Sequence, residues 1–117
     1  MDTAYINFLR IIKDSSLTNP ARSLDNTERQ LLEYILMAYD KGESLLVGDV
    51  IVQSMFGSQA TLHGRIKILV RLGFLKLILD PLDARKRFVV PTILAKNYSK
   101  YMSNCLAKAL KRSSSYL

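Results

Sequence analysis

Between Ser58 and Thr92 the chain reads SQATLHGRIKILVRLGFLKLILDPLDARKRFVVPT, and no other stretch constrains the fold as strongly. Leu62, Ile66, Leu69 and Val70 recur at three- and four-residue spacing behind Ser58, a good helix cap, and the pattern stops at Gly73. The periodicity then changes. Phe74 to Leu79 and Arg87 to Val90 are runs of β-branched and aromatic residues, and the DPLDARK between them has the Asp-Pro opening and polar interior of a hairpin loop. Helix, strand, basic hairpin and strand thus follow one another without a linker.

The flanking sequence supplies more helices. Tyr5, Ile6, Phe8, Leu9, Ile11 and Ile12 form a wide apolar stripe within residues 2–14, with Asn7, Arg10 and Lys13 opposite. The Ser-, Thr- and Asn-rich run from Asp14 to Asn26, which contains Pro20, reads as a connection. Asp25 or Asn26 can cap a helix whose Leu31, Leu32, Ile35, Leu36 and Tyr39 share one side and which Gly42 ends. SLLV is short and apolar. Val47 to Ser54 reads as a brief helix with Val50 and Ile51 inward, and Gly57 in the following turn is the natural place for a positive φ. Two short helices joined by that turn make a helix-turn-helix. Pro91 cannot extend a central strand, and Thr92 is suited to cap a last helix to about Arg112, with Leu94, Tyr98, Tyr101, Met102, Cys105, Leu106 and Ala109 on one side. The tail SSSYL lacks periodicity and is expected to fray.

The expected fold is therefore mostly α with a small antiparallel β-hairpin, an α+β winged helix-turn-helix. It forms a single domain over residues 1–117: an N-terminal helix and connection (1–18), the winged helix-turn-helix (24–91) and a C-terminal helix (92–112). A chain of 117 residues with 49% hydrophobic content is long enough for one core and short for two. Its single cysteine, Cys105, can make no intramolecular disulfide and lies in an apolar stripe, so a buried structural thiol is expected. The start at Asp2 is acidic, and Lys76 interrupts the longest apolar run. Neither a signal peptide nor a membrane span is expected, and the cytoplasm is the simplest location.

Net charge is +7, but its distribution says more. Residues 1–60 hold five basic and eight acidic residues, net −3. Residues 61–117 hold twelve basic residues against Asp80 and Asp83 alone, net +10. The half with the helix and hairpin is thus the one suited to a polyanion. At about 100° per residue, Leu62, Ile66, Leu69 and Gly73 share one face of the helix after Ser58, while Ala60, Gly64, Lys67 and Arg71 share the opposite one. Thr61 and His63 flank that outer face. Ser58 and Gln59 stand at the helix start, where backbone N–H groups favour a phosphate, and Gln59 can offer adenine a paired donor and acceptor. Ala60 and Gly64 are small enough to let the helix approach a groove closely.

Arg65, Lys67, Arg71 and Lys86 are the expected phosphate contacts, and Arg85, with Lys86 and Arg87 beside it, the expected minor-groove contact. The plain alternative for the hairpin is that Asp80 and Asp83 pair with these cations across a solvated turn. No glycine-rich phosphate loop, paired-carboxylate motif, metal-ligand cluster or Cys–His pair suggests catalysis, a metal or a cofactor.

These residues resemble a known pattern. The MarR family of winged-helix transcriptional regulators commonly has an Asp-x-x-Asp-x-Arg wing, an alternating strand and a threonine opening the last helix. Here Asp80-Pro81-Leu82-Asp83-Ala84-Arg85 precedes Lys86 to Thr92 with that spacing, and TLHGRIKILVRLGFL is similar to the family's recognition helix and its Leu-x-x-x-Gly exit. The resemblance covers about residues 27–95. It implies a homodimer joined by the N- and C-terminal helices, with two winged helices reading half-sites of a palindrome. Leu82 and Ala84 depart from it, occupying wing positions that are often basic. Whether so short a chain keeps the family's small-molecule effector pocket is left open by the sequence. The function implied is sequence-specific binding of double-stranded DNA in transcriptional regulation, as a dimeric repressor. A protein-interaction winged helix, or a nonspecific or replication-associated DNA-binding protein, is the alternative.

Overall fold

A computed structural model describes residues 3–114. Its elements are α1 (Ala4–Asp14), α2 (Asn26–Asp40), β1 (Leu45–Leu46), α3 (Val47–Ile51), α4 (Gln59–Arg71), β2 (Leu75–Leu79), β3 (Arg87–Pro91) and α5 (Ile93–Ser114), with 3₁₀ turns at Ser16–Thr18 and Ser54–Phe56. The chain divides into two compact units: residues 24–96, and residues 3–23 together with 97–114. None of the helices described is long and apolar enough to cross a membrane.

The larger unit is built on α2 and α4. Asp25 caps α2 by accepting from the Glu28 N–H at 2.8 Å, and the Glu28 carboxylate returns the bond by accepting from the Asp25 N–H at 3.0 Å. This reciprocal capping box satisfies two backbone donors that no helical turn reaches. Leu31, Leu32, Ile35 and Ala38 of α2 are buried, as are Val50 of α3 and Leu62, Ile66 and Leu69 of α4. Phe74, Leu75 and Val89 close the core from the strands. Ile51, expected inward beside Val50, is half-buried. Gly57 at φ +132° turns the chain into α4, and Gly73 at φ +89° turns it out, both in backbone regions that a side chain rarely tolerates.

The sheet has three antiparallel strands in the order β1-β3-β2, where two were expected. The added strand comes from the middle of the SLLV segment: Leu45 pairs with Val89 and Leu46 with Phe88. On the other side Leu75 pairs with Pro91 and Leu79 with Arg87. This corrects the reading of Pro91. It ends the central strand, at a position that two-residue β1 does not reach, so its missing N–H leaves no gap on the β1 side.

Thr92 joins the strand end to α5. Its hydroxyl donates to the Gly73 carbonyl at 2.5 Å, its N–H donates to the Phe74 carbonyl at 3.0 Å, and its oxygen accepts from the Ala95 N–H at 3.4 Å. The first turn of α5 is thereby tied to the exit of α4. The helix continues to Ser114, two residues beyond the expected end, so Ser113 and Ser114 of the SSSYL tail are helical and its last three residues lie outside those described.

In the smaller unit Thr3 caps α1 by accepting from the Ile6 N–H at 3.2 Å, and Ile11, Cys105 and Ala109 form a buried cluster with Phe8, Ile12 and Tyr101 packed against it. Cys105 is a free, buried thiol, as its position predicts. The Tyr101 hydroxyl bonds both the Ser15 hydroxyl and, at 3.1 Å, the Ser15 carbonyl at the end of α1. Tyr5 and Leu9 of α1 and Leu106 and Leu110 of α5 remain exposed apolar pairs, each at four-residue spacing. Leu106 thus leaves the buried stripe in which it was expected.

Candidate nucleic-acid interface

Ser58 begins α4 in extended backbone, and its Oγ accepts from the Thr61 N–H at 3.2 Å while bonding the Thr61 hydroxyl at 2.9 Å. The first turn is therefore capped from within the sequence that was expected to meet DNA. Gln59, Ala60, Thr61, His63, Gly64, Lys67 and Arg71 are all exposed, opposite buried Leu62, Ile66 and Leu69. The helical projection expected for α4 is realised. A methyl group added at Gly64 would meet nothing within 4 Å, so this point of the outer face is open.

The wing loop is held by its own backbone. The Asp80 N–H donates to the Lys86 carbonyl and the Lys86 N–H to the Asp83 carbonyl, both at 3.0 Å. Asp80 Oδ1 accepts from the Leu82 N–H at 2.8 Å and Asp83 Oδ1 from the Arg85 N–H at 3.0 Å. The two aspartates thus fold the hairpin by capping successive turns. Arg85 Nε also lies 3.1 Å from Asp83 Oδ1, with its side chain 91% exposed. These Arg85 side-chain and backbone hydrogen bonds, aided by the Lys86 charge, hold the Asp83 carboxyl below its ordinary range. The ion-paired turn weighed as the plain alternative exists at Asp83, but so exposed a pair adds little stability. Lys86 and Arg87 are exposed beside it.

Between α4 and the hairpin lies a groove of about 560 Å³, bordered by His63 and Lys67 from the helix and Arg85, Lys86 and Arg87 from the wing. Leu46, Ile51, Ile66 and Leu77 contribute its apolar lining. Five of the ten candidate residues meet here. Ser58, Gln59 and Thr61 stand at the N-terminal end of α4, and Arg71 lies in its last turn. Sequence reasoning passed over Asp49, which also lines the groove and whose Oδ2 accepts from the Leu46 N–H at 2.9 Å. An acid three residues into a short helix was the available signal.

Arg65 has a different place. Its NH1 lies 2.7 Å from Glu28 Oε2 and 2.6 Å from Asp25 Oδ2, with the Glu28 side chain only 6% exposed. The guanidinium expected at a phosphate is committed to the N-terminus of α2, where it balances a buried carboxylate.

No family model and no curated protein matches the sequence. Solved structures do. A mutant of MepR from a multidrug-resistant S. aureus clinical isolate is similar over 100% of this chain and 86% of its own, with a TM-score of 0.67 at 16% identity. BpsR of Bordetella bronchiseptica, whose DNA binding is regulated by 6-hydroxynicotinic acid, is similar over 94% of this chain and 77% of its own, with a TM-score of 0.56 at 24% identity. The adhesin competence repressor AdcR of Streptococcus pyogenes gives 0.55 at 24% identity, over 93% of this chain and 78% of its own. These neighbours are MarR-family regulators, and the fold of this chain is theirs, a MarR-type winged helix.

Proposed function

We propose that this chain is a sequence-specific regulator of transcription that binds double-stranded DNA, acting in the cytoplasm as a dimeric repressor by occupying an operator. The observation that carries this reading is the groove in which the outer face of α4 and the cationic wing meet, His63 and Lys67 across from Arg85, Lys86 and Arg87. Gln59 and Thr61, exposed at the helix start, read base edges in the major groove, while Ser58 and His63 contact the backbone alongside them. Lys67, Arg71 and Lys86 neutralise phosphates and make affinity fall with salt, and Arg85 and Arg87 address the minor groove. Arg65 serves by holding α4 rather than by touching DNA. The exposed pairs Tyr5–Leu9 and Leu106–Leu110 suit a two-fold interface, in which one apolar surface matches itself.

The test is selection from a random duplex library with the full chain, followed by binding of the enriched duplex across a salt series. An enriched inverted repeat with half-sites about one helical turn apart, bound with a steep salt dependence, is the expected result. Weak, salt-sensitive binding with no enriched sequence would overturn it. Sedimentation of the free chain checks the dimer, for which a mass near 13.3 kDa at micromolar concentration is the contrary outcome.

A further inference from the structure

The tip of the wing is apolar where its neighbours are cationic. Leu82 is 96% exposed, and Pro81 and Ala84 on either side are exposed as well. The loop that carries them is fixed by the inward hydrogen bonds of Asp80 and Asp83. Both acids are therefore turned onto their own backbone, and Asp83 is further neutralised by Arg85. What projects is a leucine on a stiff turn, with Arg85, Lys86 and Arg87 behind it.

Two physical consequences select an occupant. Removing the Leu82 side chain from water is favourable, and a preorganised turn loses little conformational entropy when it docks. The cations behind the tip are attracted to the phosphates that flank a groove, and they aim the tip at its floor. An apolar side chain driven into a minor groove can separate neighbouring base pairs and bend the duplex. That distortion costs least at pyrimidine–purine steps, which are weakly stacked and flexible.

We propose that Leu82 is a wedge that enters the minor groove beside the recognition helix and partly opens a pyrimidine–purine step, making the wing a reader of deformability. The proposal rests on the DNA-binding reading above and adds a specificity residue to it. At this tip position a cation would serve phosphate, whereas leucine serves a base step.

The experiment runs the random-duplex selection in parallel with the unmodified chain, Leu82→Ala and Leu82→Lys, and then measures end-to-end energy transfer in the enriched duplexes. The side chain is fully exposed, so all three proteins should fold alike, which circular dichroism verifies. The unmodified chain should enrich a step such as TpA at the wing position and bend the duplex, with about fivefold lower affinity when that step becomes ApA. Leu82→Ala should lose the step preference and most of the bend while keeping the bases selected by α4. Leu82→Lys should bind all duplexes more tightly and equally lack the step preference. If all three proteins select the same step and bend DNA equally, the wedge is overturned and the DNA-binding reading stands. If the unmodified chain enriches nothing, both fall together.

Discussion

The Arg65 guanidinium lies 2.7 Å from Glu28 Oε2, joining the middle of α4 to the first turn of α2 across 37 residues of sequence. The other Glu28 oxygen accepts the Asp25 N–H at 3.0 Å. One buried carboxylate thus closes a helix cap and orients α4. Arg65→Ala leaves that charge without its cation and should destabilise the chain by about 2–3 kcal/mol, discounted from a fully buried pair because Arg65 is partly exposed. Arg65→Lys should recover only part of the loss, since an ammonium lacks the planar fork. Urea unfolding monitored by circular dichroism measures both, and a loss below about 0.5 kcal/mol for the alanine variant would contradict the clamp.

Gly64 separates stability from recognition. Its site is open, so Gly64→Ala should stabilise α4 by up to about 1 kcal/mol through helix propensity alone. The same methyl group stands on the face proposed to approach DNA and should weaken operator binding. Thermal melting and a binding isotherm on one preparation should therefore move in opposite senses, and tighter binding by the stabilised variant would contradict the docking face.

Gln59 and Lys86 test the division between reading and holding. Gln59→Ala should cost about 1–3 kcal/mol on the preferred duplex and relax selectivity at one base pair. Lys86→Ala should weaken every duplex alike and lower the salt slope by about one. Competition binding over a panel of singly substituted duplexes resolves the two patterns, and identical patterns for both variants would contradict the assignment.

Acid should reach the wing late. Arg85 holds the Asp83 carboxyl below its ordinary value of 3.8. The fold favours the ionised form, so this contribution to the turn is complete above that value and disappears as pH falls through the lowered pKa. Titration of the Asp83 carboxyl carbon by NMR should give a midpoint below 3.8 that rises in Arg85→Ala. An unchanged midpoint in the variant would show that the ion pair has no influence in solution.

Local patterns were legible because local physics decides them. The Leu62, Ile66 and Leu69 spacing, the Ser58 cap and the turn at Gly57 all depend on neighbours within a few residues and read correctly from sequence, while of the two α2 caps the sequence offered, Asp25 is the one used. The β1 strand was not legible, since two residues carry no periodicity and Leu45 and Leu46 acquire strand pairing only from Phe88 and Val89, more than forty positions away. A separation of 37 residues hid the role of Arg65. Its charge suggested a phosphate contact, but nothing local says that Glu28 is buried beside it. Within the wing, the Asp83–Arg85 spacing fits an ion pair and a DNA contact equally well, because in an exposed loop the same guanidinium can exchange one anion for the other.

The bonds that Thr92 makes to Gly73 and Phe74 close the base of the hairpin onto the start of α5. Fraying of the hairpin base at Phe74 would therefore also release the first turn of α5, so that sheet and helix open there as one unit.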